Sequence, residues 1–229
     1  MDCRLHRKGL ILVFIGFLMS TATLAQSQQE WHDSLTTLIK KIERSPNSVD
    51  LRLKKAAVDV ELGLWNYAIE EYGRVLELDS ANLAAHYFRA YAHSHLRRYD
   101  LAKYDYEACL AIMPRYFEAQ LGLAMVKRKM GKVVEVLDDL NQLIQMFPDS
   151  AVAYAARAGY EMEQRQYELA LYDWEQAILL HPDNIDFLIS KVETLLLLER
   201  KKEAHSLLQK ALRKGVPRYA LKEWLDRCK

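Results

Sequence analysis

Proline, glycine and cysteine are scarce in this chain of 229 residues, with 5, 8 and 3 respectively. So few helix breakers in a composition that is 51% hydrophobic exclude a turn-rich architecture and favour an all-helical protein with a buried core. An excess of one charge is also lacking: 32 basic side chains stand against 31 acidic ones, for a formal charge of +1. Such a balance argues against nucleic acid or an anionic membrane as a general partner. The longest apolar run, Leu10 to Met19, is too short to span a bilayer, which takes about 20 residues. Gly63, Gly122, Gly131 and Gly159 are isolated, so no phosphate-binding loop is present, and no nucleophile-elbow motif occurs. These absences imply no cofactor and no enzymatic activity assembled from a local motif.

What is present begins with a leader-like segment. Arg4, Arg7 and Lys8 precede the apolar run, and Thr23-Leu24-Ala25 offers a small-x-small cleavage site, so residues 1–25 read as an export signal. The alternative is a retained anchor. No cysteine follows the run to carry a lipid, and removal of the leader shifts the formal charge to about −1. An exported location follows, periplasmic in a Gram-negative host and otherwise secreted, with no stable membrane span once the leader is cleaved.

Residues 26–48 hold a polar stretch and then one amphipathic helix, with Trp31, Leu35, Leu38, Ile39 and Ile42 at three- and four-residue intervals. Beyond it the chain repeats. Pro114, Pro148 and Pro182 fall 34 residues apart, and Ser80 and Pro46 occupy the matching earlier places. Five units follow without insertion: 49–82, 83–116, 117–150, 151–184 and 185–218. Ala56, Ala90, Ala124, Ala158 and Val192 hold the eighth place, where a small side chain lets two helices approach. The twentieth and twenty-seventh places are mostly small, and the twenty-fourth carries Tyr72, Tyr106, Leu140, Trp174 and Leu208. Their spacing puts them on one helical face.

This pattern resembles the tetratricopeptide repeat, a helix-turn-helix unit that stacks on copies of itself. The resemblance implies an all-α fold: a right-handed α–α superhelix (solenoid) of about five repeats, with a half-repeat N-cap and a C-terminal capping helix over residues 219–229. Repeat three departs from the family pattern with Val136 at its twentieth place, and repeat five reaches its proline late, at Pro217. At the fourth and eleventh places Arg52, Asp59, His86, His93, Gln120 and Lys127 replace the family's large apolar residues, which predicts looser packing of those first helices. Basic seventh places face acidic twenty-third places, so Arg89–Asp105 and Arg157–Asp173 are predicted ion pairs within single repeats. Cys109 and Cys228 lie more than three repeats apart, too far for an intrachain disulfide. His86, His93 and His95 share a helix, but no carboxylate or cysteine completes a metal site there, and His86 and His93 sit at interior places.

In the family the first helices line a concave surface, chiefly through the second, fifth, ninth, twelfth and thirteenth places. Carried onto this sequence, the resemblance implies a partner-binding groove that includes Leu53, Ala57, Tyr87, Tyr91, His95, Leu121, Met125, Lys129 and Ile189. A protein or peptide partner, a helix included, would dock there by apolar contact, within a polar rim of Glu61, His95, Arg128, Lys129 and Glu163. The fifth-place residues could instead pack on one another. Leu53, Ala57, Glu118 and Gly122 stand where family members that grip a C-terminal carboxylate carry lysine, asparagine and arginine, so that mode is not implied. A second functional class is a structural subunit of a larger envelope assembly, docking or oligomerising through its ends with Trp224 as a handle.

Overall fold

The computed structural model describes residues 28–229, and every regular element among them is helical. The leader expected over residues 1–25 lies outside the described residues. The chain forms two compact units, Met1–Pro114 and Arg115–Lys229, a division that the unbroken period does not announce. The first unit holds α1 (helical over 28–44) and two hairpins, α2 (Val49–Glu61) with α3 (Trp65–Leu78) and α4 (Leu83–His95) with α5 (Tyr99–Ile112). The second holds three hairpins, α6 (Phe117–Lys129) with α7 (Val133–Met146), α8 (Ala151–Glu163) with α9 (Tyr167–Leu180), and α10 (Ile185–Leu197) with α11 (Lys201–Arg213). A 3₁₀ turn, Arg218–Leu221, and the short α12 (Lys222–Arg227) follow; Leu221 and Leu225 bury themselves against the core formed by α10 and α11.

Local chemistry starts and stops these helices at a constant interval. Ser48, Asn82, Ser150 and Asn184 precede first helices, and each side chain accepts a backbone N–H from the first turn, which satisfies a donor with no intrahelical partner. Each first helix then ends in a left-handed residue two places before the next helix begins: Gly63, Arg97, Gly131, Arg165 and Glu199, with φ between 56 and 75°. The following N–H reaches back to the carbonyl of Asp59, His93, Lys127, Glu161 or Leu195, so all five turns are Schellman closures. Glycine is free of strain in this conformation; the two arginines and the glutamate adopt it at a cost of roughly 1–2 kcal/mol each. Helix α11 also closes on a Schellman motif, around Gly215 at φ 98°, and this explains why proline arrives late in the fifth unit.

The small-residue places behave as packing positions. Ala56, Ala68, Ala90, Ala102, Cys109, Ala158, Ala170, Val192 and Ala204 have no exposed surface, and Tyr72, Tyr106, Leu140, Trp174 and Leu208 are buried beside them. Val136 fills the alanine place of its hairpin without exposure, against Leu140 and Leu143. Cys109 and Cys228 are free thiols; burial pushes the Cys109 thiol up to about 12, and its Sγ lies 3.7 Å from the Leu83 carbonyl oxygen.

Four of the six polar residues at the fourth and eleventh places, Arg52, Asp59, His86 and Lys127, enter ionic seams inside the hairpins. In α2–α3, Arg52 and Lys55 meet Glu71 at 2.7 and 3.3 Å, and Lys55 also holds the buried Asp59 at 2.9 Å. Both predicted arginine pairs form as bidentate forks: Arg89 reaches Asp105 at 2.7 and 2.8 Å, and Arg157 reaches Asp173 at 2.6 and 2.7 Å. In α6–α7, where Leu123 holds the seventh place, Lys127 from the eleventh takes Asp139 instead, at 2.7 Å.

Candidate functional site

The residues implied as a groove separate into packed and exposed members, and they are divided between the two units. In the first unit Leu53 is half-buried against the core of Ala56, Ala68, Tyr72, Val75 and Ala85. Tyr87 is half-buried too, its ring meeting Phe88 at 5.0 Å and Tyr106 at 5.9 Å, both edge-on. In the second unit Leu121 and Met125 are half-buried on the core around Leu140, and Ile189 on the core around Leu208. Thus Leu53, Tyr87, Leu121 and Ile189, all at fifth places, contribute to hairpin packing. Lys129 is exposed, whereas Arg128 of the rim is spent in an ion pair with Glu163 and lies 3.7 Å from the Met125 sulfur.

Of the implied groove residues, Ala57, Tyr91 and His95 of the first unit stay open, with Lys129 in the second. Ala57 is exposed and lines a cleft of about 360 Å³ between α1 and α2, together with Trp31, Ser34, Leu38, Lys54 and Val58. On α4, Tyr91 is 38% exposed and His95 follows it by one turn. The His95 ring lies flat on Trp65 at 4.0 Å, with 7° between the planes, and the Tyr91 ring stands edge-on to both, 4.5 Å from His95 and 6.0 Å from Trp65. Offset stacking and edge contacts of this kind hold rings in place. Tyr91 is therefore a pre-oriented aromatic surface rather than a loose side chain.

Trp65 was not among the residues implied by the period. It is the first residue of α3, and the family's groove places lie on first helices alone; a tryptophan immediately after the turn is the signal that points to it. The period also gave no role to an outward face on second helices, where Tyr67, Leu101 and Tyr104 in the first unit and Leu169 and Tyr172 in the second are 50 to 65% exposed.

The histidines at interior places, His86 and His93, are both buried. His86 Nδ1 lies 3.0 Å from Asp105 and its Nε2 lies 3.1 Å from the Ser80 carbonyl oxygen. His93 is 7% exposed, and burial pulls its imidazole below the ordinary range, opposed by the nearby Asp105. Trp224 is no free handle: it is half-buried on the core of α10 and α11 and donates to Glu193 at 3.2 Å. No helix among the described residues is long and apolar enough to cross a membrane.

No protein-family model matches the chain. Over 107 residues, 47% of its length, it is 30% identical to the small glutamine-rich tetratricopeptide repeat-containing protein 2 of Saccharomyces cerevisiae; the match spans 31% of that protein. Solved structures cover much more of it. A tetratricopeptide repeat protein from Parabacteroides merdae superposes with a TM-score of 0.65 at 21% identity, over 93% of this chain and 83% of that one. The pilF protein of Pseudomonas aeruginosa gives 0.65 at 19% identity, over 95% and 96%. YrrB, described as a tetratricopeptide protein with an unusual peptide-binding site, gives 0.57 at 19% identity, over 78% and 92%. The chain thus has the all-helical repeat fold seen in tetratricopeptide repeat proteins, whose members generally mediate contacts between proteins and are typically non-enzymatic scaffolds.

Proposed function

We propose that the chain is a non-enzymatic adaptor that holds a peptide or helix of a partner protein against the exposed first-helix surface of its N-terminal unit. The observation that carries this reading is the ring cluster of Trp65, Tyr91 and His95, an aromatic surface fixed before any partner arrives. A rigid, exposed tyrosine supplies contact area at low entropic cost, and such residues are enriched where binding energy concentrates. The peptide-binding site described for YrrB, which shares the fold, supports the choice of ligand class. Selection of a random dodecamer phage library on the intact chain is expected to enrich peptides with apolar or aromatic side chains, and Tyr91→Ala is expected to lower that enrichment at least tenfold with an unchanged circular dichroism spectrum. Equal enrichment on the variant would remove the ring cluster from the site.

An exported compartment is the location that the leader-like residues 1–25 support for this adaptor. Recovery from the host of a chain with the mass of residues 26–229 supports this placement, and recovery of full-length chain alone counts against cleavage. End-docking through Trp224 has less support, because that ring is committed to the core and to Glu193.

A further inference from the structure

The buried charges of one hairpin do not balance. In α2–α3 two cations, Arg52 and Lys55, face two carboxylates, Asp59 and Glu71; in α4–α5 Arg89 faces Asp105; in α6–α7 Lys127 faces Asp139. In α8–α9 a single cation, Arg157, stands between Asp173 and Glu161, which are 1% and 6% exposed. All three of its nitrogens already donate elsewhere. Nε and Nη2 go to Asp173, and Nη1 donates to Asn141 of α7 at 2.8 Å. Glu161 is left 4.0 Å from Nε, beyond hydrogen-bonding range, and its Oε2 is buried with no partner.

Arg157 on its own helix and Asp173 on α9 are the charged groups that act on Glu161, and Asn141, the α7 side chain that reaches this seam, is neutral. A carboxylate almost wholly removed from water, with one oxygen buried and unbonded and a second carboxylate acting on it, is held cheaply only as the neutral acid. We propose that Glu161 is a proton-binding site that couples the opening of the α8–α9 hairpin to pH, the hairpin packing tightly on neutral Glu161 and loosening when that side chain ionises. Burial, and after it Asp173, pushes the Glu161 carboxyl up to about 7 against the opposing pull of Arg157. The folded value lies above the ordinary 4.5, so the packed hairpin binds more protons than the opened one between these limits. Its extra stability is therefore complete below about pH 4.5 and is lost as pH rises through about 7. One proton sets the limit: the opening equilibrium rises by at most about tenfold per pH unit.

Amide hydrogen exchange of the intact chain, resolved over residues 151–180 and corrected for intrinsic rates, tests the coupling. Between pH 5 and 7 the wild-type hairpin is expected to lose protection progressively, by up to about tenfold per unit. Glu161→Gln, an isostere of the neutral acid, is expected to stay protected with no slope. Protection of the wild type that does not fall, or an equal slope in the variant, overturns the proposal. Independently of how the variant folds, carbon NMR titration of the wild-type Glu161 carboxyl should show a midpoint near 7, and a midpoint below 5 overturns it as well.

Discussion

Asp105→Ala is expected to destabilise the N-terminal unit by about 3–5 kcal/mol, read as a lower urea midpoint with an unchanged slope. Asp105 is 1% exposed and accepts three hydrogen bonds, two from Arg89 and one at the His86 ring. Alanine removes the acceptor and leaves the guanidinium inside the hairpin, where 22% of the Arg89 side chain meets solvent. The loss is thus chiefly the burden of an uncompensated cation rather than the worth of the pair. A double replacement separates the two, since Arg89→Met with Asp105→Leu removes both charges and is expected to cost less than Asp105→Ala alone. Should the single variant lose under about 1 kcal/mol, the seam is solvated and the pair is worth no more than a surface contact.

Trp174→Ala is expected to destabilise the C-terminal unit by a similar amount, about 3–5 kcal/mol, with the loss measured on the unfolding of that unit. The indole is 6% exposed, its Nε1 lies 3.4 Å from the Met162 sulfur, and its ring lies 6.3 Å from that of Phe187. Its neighbours in the buried cluster are Ala158 and Ala170. Neither alanine has side-chain length to swing into the space, so the cavity persists and the full penalty of lost contacts is felt. An effect below about 1 kcal/mol would mean that Met162 and Phe187 refill the site.

These two effects fall on residues that the period had already placed. The twenty-fourth place marked Trp174 as the large partner of the seam, and the seventh and twenty-third places marked Arg89 with Asp105. Helix ends were partly legible. Gly63 and Gly131 mark left-handed turns, but Arg97, Arg165 and Glu199 adopt the same conformation without the residue that announces it. The fourth and eleventh places were misleading in one respect. Charged side chains there suggested loose packing, whereas ion pairing across the hairpin lets them fill it.

The implied groove was less legible than the scaffold. Fifth-place residues are apolar both when they wait for a partner and when they pack on their own hairpin, and Leu53, Tyr87, Leu121 and Ile189 pack. Tyr91 and His95 remain at the surface, joined there by Trp65 from a second helix. Glu161 was one acidic residue among many, and its isolation becomes visible only when the donors of Arg157 are assigned to Asp173 and Asn141.

By itself the sequence determined the repeating helical hairpins, their packing residues and their arginine–aspartate pairs, because helical period, side-chain volume and charge at fixed spacing are local properties. The tertiary structure decided which aromatic rings meet and stay open, and which buried carboxylate goes without a partner. Both outcomes depend on separations of a few ångströms between side chains on different helices, and those separations exist only once the hairpins have packed.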